Sequence, residues 1–159
     1  MEKILGLLEK DATLNAKSIA QMLGMDENEV NEKIKKYEEE NIILGYKTIV
    51  NWENTEFEPV TAIIELKVTP QLGAGFDKVA EEIQEYREVS SVYLMSGGYD
   101  ITVTVEGKTM KEVALFVAEK LAPMEEVLST TTHFVLKKYK IDGIATSKKT
   151  TESREVITI

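Results

Sequence analysis

The chain has 159 residues, 19 Lys+Arg against 28 Asp+Glu and a formal net charge of -9, with 43% hydrophobic and 30% charged residues, a globular rather than a disordered balance. No Cys and a single His exclude a disulfide framework and a thiolate metal centre, so no metal or cofactor site is expected. The longest unbroken apolar run, Val113 to Ala118, is far shorter than the roughly 20 residues of a membrane span, and Met1-Glu2-Lys3 lacks a signal-peptide pattern, so a soluble, cytoplasmic protein is expected.

Residues 1-50 predict three short helices and then a pair of short strands. Ile4, Leu5 and Leu8 fall at helical spacing before the turn Asp11-Ala12-Thr13. Asn15 is placed to cap a second helix carrying Ile19, Ala20 and Leu23, and Gly24 to close it in a left-handed conformation. Asp26 followed by Glu29 resembles a reciprocal capping box, ahead of Val30, Ile34 and Tyr37 on one helical face. The β-prone runs Ile42 to Tyr46 and Thr48 to Val50, broken at Gly45, predict a small hairpin or a strand that leaves the helices, which completes a winged helix-turn-helix domain over 1-50.

Residues 51-59 carry Glu53, Glu56 and Glu58 without periodicity and read as a linker. From Val60 to Val68 apolar residues alternate with Thr61, Glu65 and Lys67, as in a strand with one buried face. An amphipathic helix follows through Phe76, Val79, Ile83 and Tyr86, then a strand from Val89 to Met95, the turn Ser96-Gly97-Gly98 and a strand through Ile101, Val103 and Val105. Thr109 with Glu112 forms a second capping box before a helix through Val113, Phe116 and Leu121, and Leu128 to Lys140 supplies the last strand.

The order β-α-β-β-α-β over 60-142 is that of the ferredoxin-like fold, which makes the protein α+β. Leu128, Phe134 and Leu136 are expected to face the helices. The opposite face, exposing Ile63, Tyr93 and Val135, is expected to meet a partner. Residues 143-159 form a polar tail whose end, Val156 to Ile159, would add as an edge strand.

A winged helix-turn-helix, a linker and a βαββαβ domain with Ser-Gly-Gly-Tyr-Asp between its second and third strands resembles the Lrp/AsnC, or feast/famine, family. The likeness covers roughly residues 1-142. Gly98-Tyr99-Asp100-Ile101 with Leu128 to Thr132 looks like that family's effector domain, and Ile19 to Met25 with Val30, Ile34 and Ile42 to Tyr46 looks like its DNA-binding head. The resemblance implies a transcription factor that dimerises through its sheets, assembles into octamers and responds to an amino acid bound between dimers. The third helix departs from the family pattern, with Asp26, Glu29 and Asn31 where Ser or Thr, Thr and Arg are usual. Residues 26-40 hold seven acids and three bases, a net charge of -4 that repels phosphate.

In the functional reading the third helix enters a major groove of double-stranded DNA. Asn28, Asn31 and Glu32 then lie near base edges, and Lys17, Lys33, Lys35 and Lys36 near phosphates. The bland alternative is a ligand-binding or assembly protein whose acidic head no longer reads DNA. For Ser96, Gly97, Gly98, Tyr99 and Asp100 the bland account is a two-glycine hairpin turn. The functional account has the glycines bare the backbone to a small amino acid, Asp100 pair with its α-ammonium, and Thr130, Thr131 and Thr132 bond its carboxylate. His133 has no recognisable catalytic partner and reads as a sheet-surface residue. A third reading, an enzyme similar to haem-pathway decarboxylases, is set against a single His and sparse Arg (Arg87, Arg154).

Overall fold

The computed structural model describes residues 3-70 and 75-147; the edge strand expected at Val156 to Ile159 lies outside them. The chain divides into two compact units, Met1-Val50 and Asn51-Ile159.

In the first unit, α1 (Lys3-Lys10), α2 (Ala16-Leu23) and α3 (Glu27-Glu39) meet over Ile4, Leu8, Ile19, Ala20, Val30 and Tyr37, all buried. Each helix boundary is set by side-chain or backbone chemistry. The Asn15 carboxamide accepts from Ser18 N-H, and Gly24 at φ 66 closes α2 on the Ala20 carbonyl. Asp26 accepts from the amides of Asn28 and Glu29, but the Glu29 carboxylate turns to Lys33, 2.9 Å away, so only half of the expected reciprocal cap forms.

A paired left-handed cap ends α3. Asn41 sits at φ 55, its N-H reaches the Glu38 carbonyl at 3.2 Å, and Ile42 N-H reaches the Tyr37 carbonyl at 2.8 Å. The expected hairpin over 42-50 does not form: residues 44-50 carry no strand pairing. Ile42, Leu44, Tyr46 and Ile49 remain exposed, so these β-prone side chains find no sheet surface on which propensity could act.

The second unit is a four-stranded antiparallel sheet in the order β2-β3-β1-β4. Its strands are β1 (Val60-Val68), β2 (Val89-Leu94), β3 (Ile101-Gly107) and β4 (Val127-Phe134), with α4 (Asp77-Gln84) and α5 (Met110-Phe116) between them. A π-helical turn, Val117-Leu121, continues α5. Register sets the core: Ala62, Ile64 and Leu66 face Val105, Val103 and Ile101 across β3. Beneath this layer lie Val79 and Ile83 of α4, and Val113, Phe116 and Leu121 from α5 and its extension. Burying each of these side chains is worth about 1.5-3 kcal/mol.

Three expectations are corrected here. The last strand stops at Phe134 rather than Lys140, and Leu136, beyond its end, is 88% exposed. Leu128 falls where β4 slips against Lys67 and Val68, and this bulge leaves it exposed as well. The outer sheet face shows Ile63 and Tyr93 as expected, but around them it is polar, because β1 alternation puts Glu65 and Lys67 there, beside Thr102, Thr104 and Thr131; Thr61, on the same side, is buried. The start of the tail is folded. Asp142 at φ 44 and Gly143 at φ 86 make a two-residue turn that pairs β5 (Lys140-Ile141) with β6 (Ile144-Ala145).

Candidate functional site

The head presents α3 to solvent. Asn28, Asn31, Glu32 and Lys35 fall at i, i+3, i+4 and i+7, so they share an exposed stripe; Lys17 of α2 is exposed too. Each α3 lysine has a carboxylate four residues away: Lys33 with Glu29 at 2.9 Å, Lys35 with Glu39 at 3.7 Å and Lys36 with Glu40 at 3.7 Å. Such exposed pairs are worth about 0.3-0.5 kcal/mol each, so a phosphate can draw the lysine away, while the carboxylate stays behind. The i,i+4 spacing already announces this pairing in the sequence.

In the body, the segment from Ser96 to Asp100 joins β2 to β3 and is pinned at both ends. Met95 N-H donates to the Asp100 carbonyl at 2.8 Å, and Asp100 N-H to the Leu66 carbonyl at 3.0 Å. The Asp100 carboxylate accepts from Val68 N-H at 2.9 Å and from the Lys67 ammonium at 3.0 Å. The Val68 bond first, then Lys67, hold its pKa below the usual aspartate value. Asp100 thus fixes the loop against β1 and shares its charge with Lys67. Lys67 was missed in the sequence, although its outward position on β1 is the signal that finds it.

The Tyr99 hydroxyl lies 3.0 Å from Thr131 Oγ1, so the loop reaches across to β4. The three threonines of β4 do not converge. Thr130 and Thr132 pair opposite Leu66 and Ile64 and share the helix-facing side, whereas Thr131 pairs opposite Glu65 and shares the outer face. Only Thr131 stands with the loop. His133, two residues on, meets Glu65 at 3.1 Å on that outer face.

The glycines differ in what demands them. At Gly107 a Cβ would come within 2.9 Å of Val113 Cγ2, so the chain's own packing excludes a side chain. Gly98 has a negative φ, and a Cβ there would meet nothing within 4 Å. Nothing within the described chain asks for glycine at that position.

The two units are thus a three-helix head with a separately capped third helix and a βαββαβ body with a bare-backbone loop. Residues 2-43 match the model for winged helix-turn-helix DNA-binding domains, and residues 61-144 the model for the Lrp/AsnC ligand binding domain. The chain is 48% identical over 142 residues to the uncharacterised HTH-type transcriptional regulator YugG of Bacillus subtilis, covering 89% of this chain and 86% of that one. It is 30% identical to the HTH-type transcriptional regulator FL11 of Pyrococcus furiosus, covering 87% and 89% of the two chains. The crystal structure of the Neisseria meningitidis transcriptional regulator NMB0573 in its L-Met complex superposes with a TM-score of 0.69 at 21% identity, covering 87% and 89%. The chain belongs to the Lrp/AsnC family and is a DNA-binding transcriptional regulator. Its relatives are regulators and not enzymes, which removes the decarboxylase reading. Among the described residues, no helix is long and apolar enough to cross a membrane.

Proposed function

We propose that this regulator senses a small amino acid at the β2-β3 loop and transmits its presence to DNA through a homodimer that assembles further, to an octamer, in the cytoplasm. The ligand lies against the backbone of Ser96, Gly97 and Gly98, with Tyr99 and Thr131 offering hydroxyls and Asp100 holding the loop in place. Gly98 supports this reading: a Cβ there would meet no atom of the chain within 4 Å, so its backbone is open to a ligand. The L-Met bound by the Neisseria regulator supports an amino acid as that ligand class. The second wall is a neighbouring copy, because the loop's glycines face open space.

In the head, Asn28, Asn31 and Glu32 meet base edges, Asn favouring adenine and Glu cytosine, and Lys17, Lys33, Lys35 and Lys36 meet phosphates. Amino acid alters DNA affinity only by binding one assembly better than another, and the coupling runs both ways. A fluorescence-anisotropy titration on the protein's own upstream region, at two salt concentrations and with each of twenty amino acids, tests the reading. A salt-dependent affinity that one amino acid shifts is expected. Salt-dependent binding indifferent to every amino acid would refute the sensing role, and no salt-dependent binding at all would refute the DNA role.

A further inference from the structure

We propose that the β5-β6 hairpin and the lysines around it form a second DNA-contacting element, one that grips the phosphate backbone outside the helix-turn-helix. The inference rests on the DNA-binding reading above and adds to it a site in the other unit.

The charge of the chain is distributed unevenly. Residues 137-147 hold three lysines, Lys137, Lys138 and Lys140, against one acid, Asp142, a net charge of +2 in a chain of net -9. On α3 every lysine has a glutamate four residues away, the arrangement of a solvated helix face. Around the hairpin Lys138 pairs with Glu106 at 4.0 Å, while Lys137 and Lys140 have no ion-pair partner among the described residues. Exposed lysines without a carboxylate partner are free to neutralise phosphate, the anion that a DNA-binding regulator encounters.

The element has a defined shape. Asp142 and Gly143 set the turn, Thr146 N-H donates to the Tyr139 carbonyl at 3.1 Å, and the Asn51 carboxamide donates to the Thr146 carbonyl at 3.1 Å. Asn51 directly follows Val50, where the head unit ends, so the hairpin is fastened to the first residue of the body after the DNA-binding unit.

The lysines divide into a structural one and free ones. Lys138 is half-buried; its N-H donates to Glu53 at 3.3 Å and its ammonium lies 4.0 Å from Glu106. Lys137 and Lys140 are exposed. Lys137 stands 5.3 Å from the centre of the Tyr139 ring, and Lys140 has no ion-pair partner among the described residues. Tyr139, 73% exposed, offers a flat face and a hydroxyl donor beside them, a combination that suits a sugar-phosphate edge.

Each phosphate contact contributes about 0.9 to the slope of log affinity against log salt. The test compares the full-length wild type with the double variant Lys137→Gln/Lys140→Gln, using a labelled duplex of random sequence between 50 and 200 mM salt. A charge-matched control, Lys111→Gln/Lys120→Gln, removes two exposed lysines from α5 and its extension. Loss of two contacts lowers the slope by about 1.8, so across this range the wild type should lose roughly tenfold more affinity than the hairpin variant. The control should keep the wild-type slope.

Equal slopes for all three proteins, or equal losses in both variants, would overturn the proposal while leaving DNA binding by the head intact. A wild type with no salt-dependent binding would overturn both readings together. If the hairpin variant instead lost binding only to vesicles of phosphatidylglycerol and phosphatidylcholine, with its DNA slope unchanged, the partner would be a membrane surface and the proposal would fail. Unchanged thermal unfolding of both variants confirms that charge rather than folding is being read.

Discussion

Gly98→Ala separates a glycine kept for the fold from one kept for a ligand. The residue has a negative φ, so alanine enters without backbone strain, and its Cβ would meet no atom within 4 Å, so it enters without a clash. Under those two conditions a glycine-to-alanine change stabilises by about 0.4-1 kcal/mol, because it narrows the unfolded ensemble. For a unit of this size the midpoint of thermal unfolding rises by a few degrees. The same methyl group would occupy the space against which an amino acid rests, so the ligand-induced thermal shift and the ligand effect on DNA anisotropy should both disappear. Gly107→Ala is the opposite case, since its Cβ would lie 2.9 Å from Val113 Cγ2; it should destabilise by about 1-3 kcal/mol through overpacking. Differential scanning calorimetry with and without amino acid reads both variants. A destabilised Gly98→Ala protein, or one that keeps its full ligand shift, would refute the reasoning.

Ile64 is fully buried at the centre of the sheet, and Ile64→Ala should cost about 2-5 kcal/mol in urea unfolding; a loss below 1 kcal/mol would mean that the site collapses around the gap. Asp26→Ala removes an acceptor for two amides of α3 and should lower head stability by about 1 kcal/mol, read by helical circular dichroism. Asp100, held by Val68 N-H and then Lys67, and Glu126, held first by Lys78, both have depressed carboxyl pKa values in the folded state. Groups shifted downward stabilise the fold fully above their unfolded pKa values, near 4, and lose that contribution as pH falls through the folded ones. Unfolding free energy should therefore fall on acidification below about pH 4, and Asp100→Asn with Glu126→Gln should flatten that limb; an acid limb as steep as the wild type's would contradict the assignment.

The helix limits were legible because each is written in one or two local residues: Asn15 and Gly24 for α2, Asp26 for α3, Thr109 for α5. The strands of the body were legible from alternation, since a period of two is fixed by the backbone itself. What failed depended on neighbours distant in sequence. The 42-50 run found no strand to pair with, and the bulge opposite Lys67 that exposes Leu128 arises only when β4 meets β1. The same alternation, applied to Thr130, Thr131 and Thr132, places them on two faces, so their grouping as one site was decidable from period alone. Asp100 shows the reverse limit. Its carboxylate is committed by an amide 32 positions away in the chain, which no local pattern announces.

The acidic head and the basic hairpin bear on how such a regulator could be switched. Lysines tied to glutamates at 2.9-3.7 Å give α3 a small electrostatic hold on DNA, because every lysine that moves to a phosphate leaves a carboxylate beside it. A weak head is useful when several act together. Linking heads in one assembly multiplies apparent affinity by about 10² or more, and that gain vanishes when the geometry forbids simultaneous contact. In the proposed assembly, ligand coupling of about 1-3 kcal/mol applied where copies meet would decide whether the assembly holds DNA, although it touches no base. A strongly basic recognition helix would bind alone and escape that control, so the net charge of -4 over residues 26-40 is consistent with a head selected to depend on its neighbours.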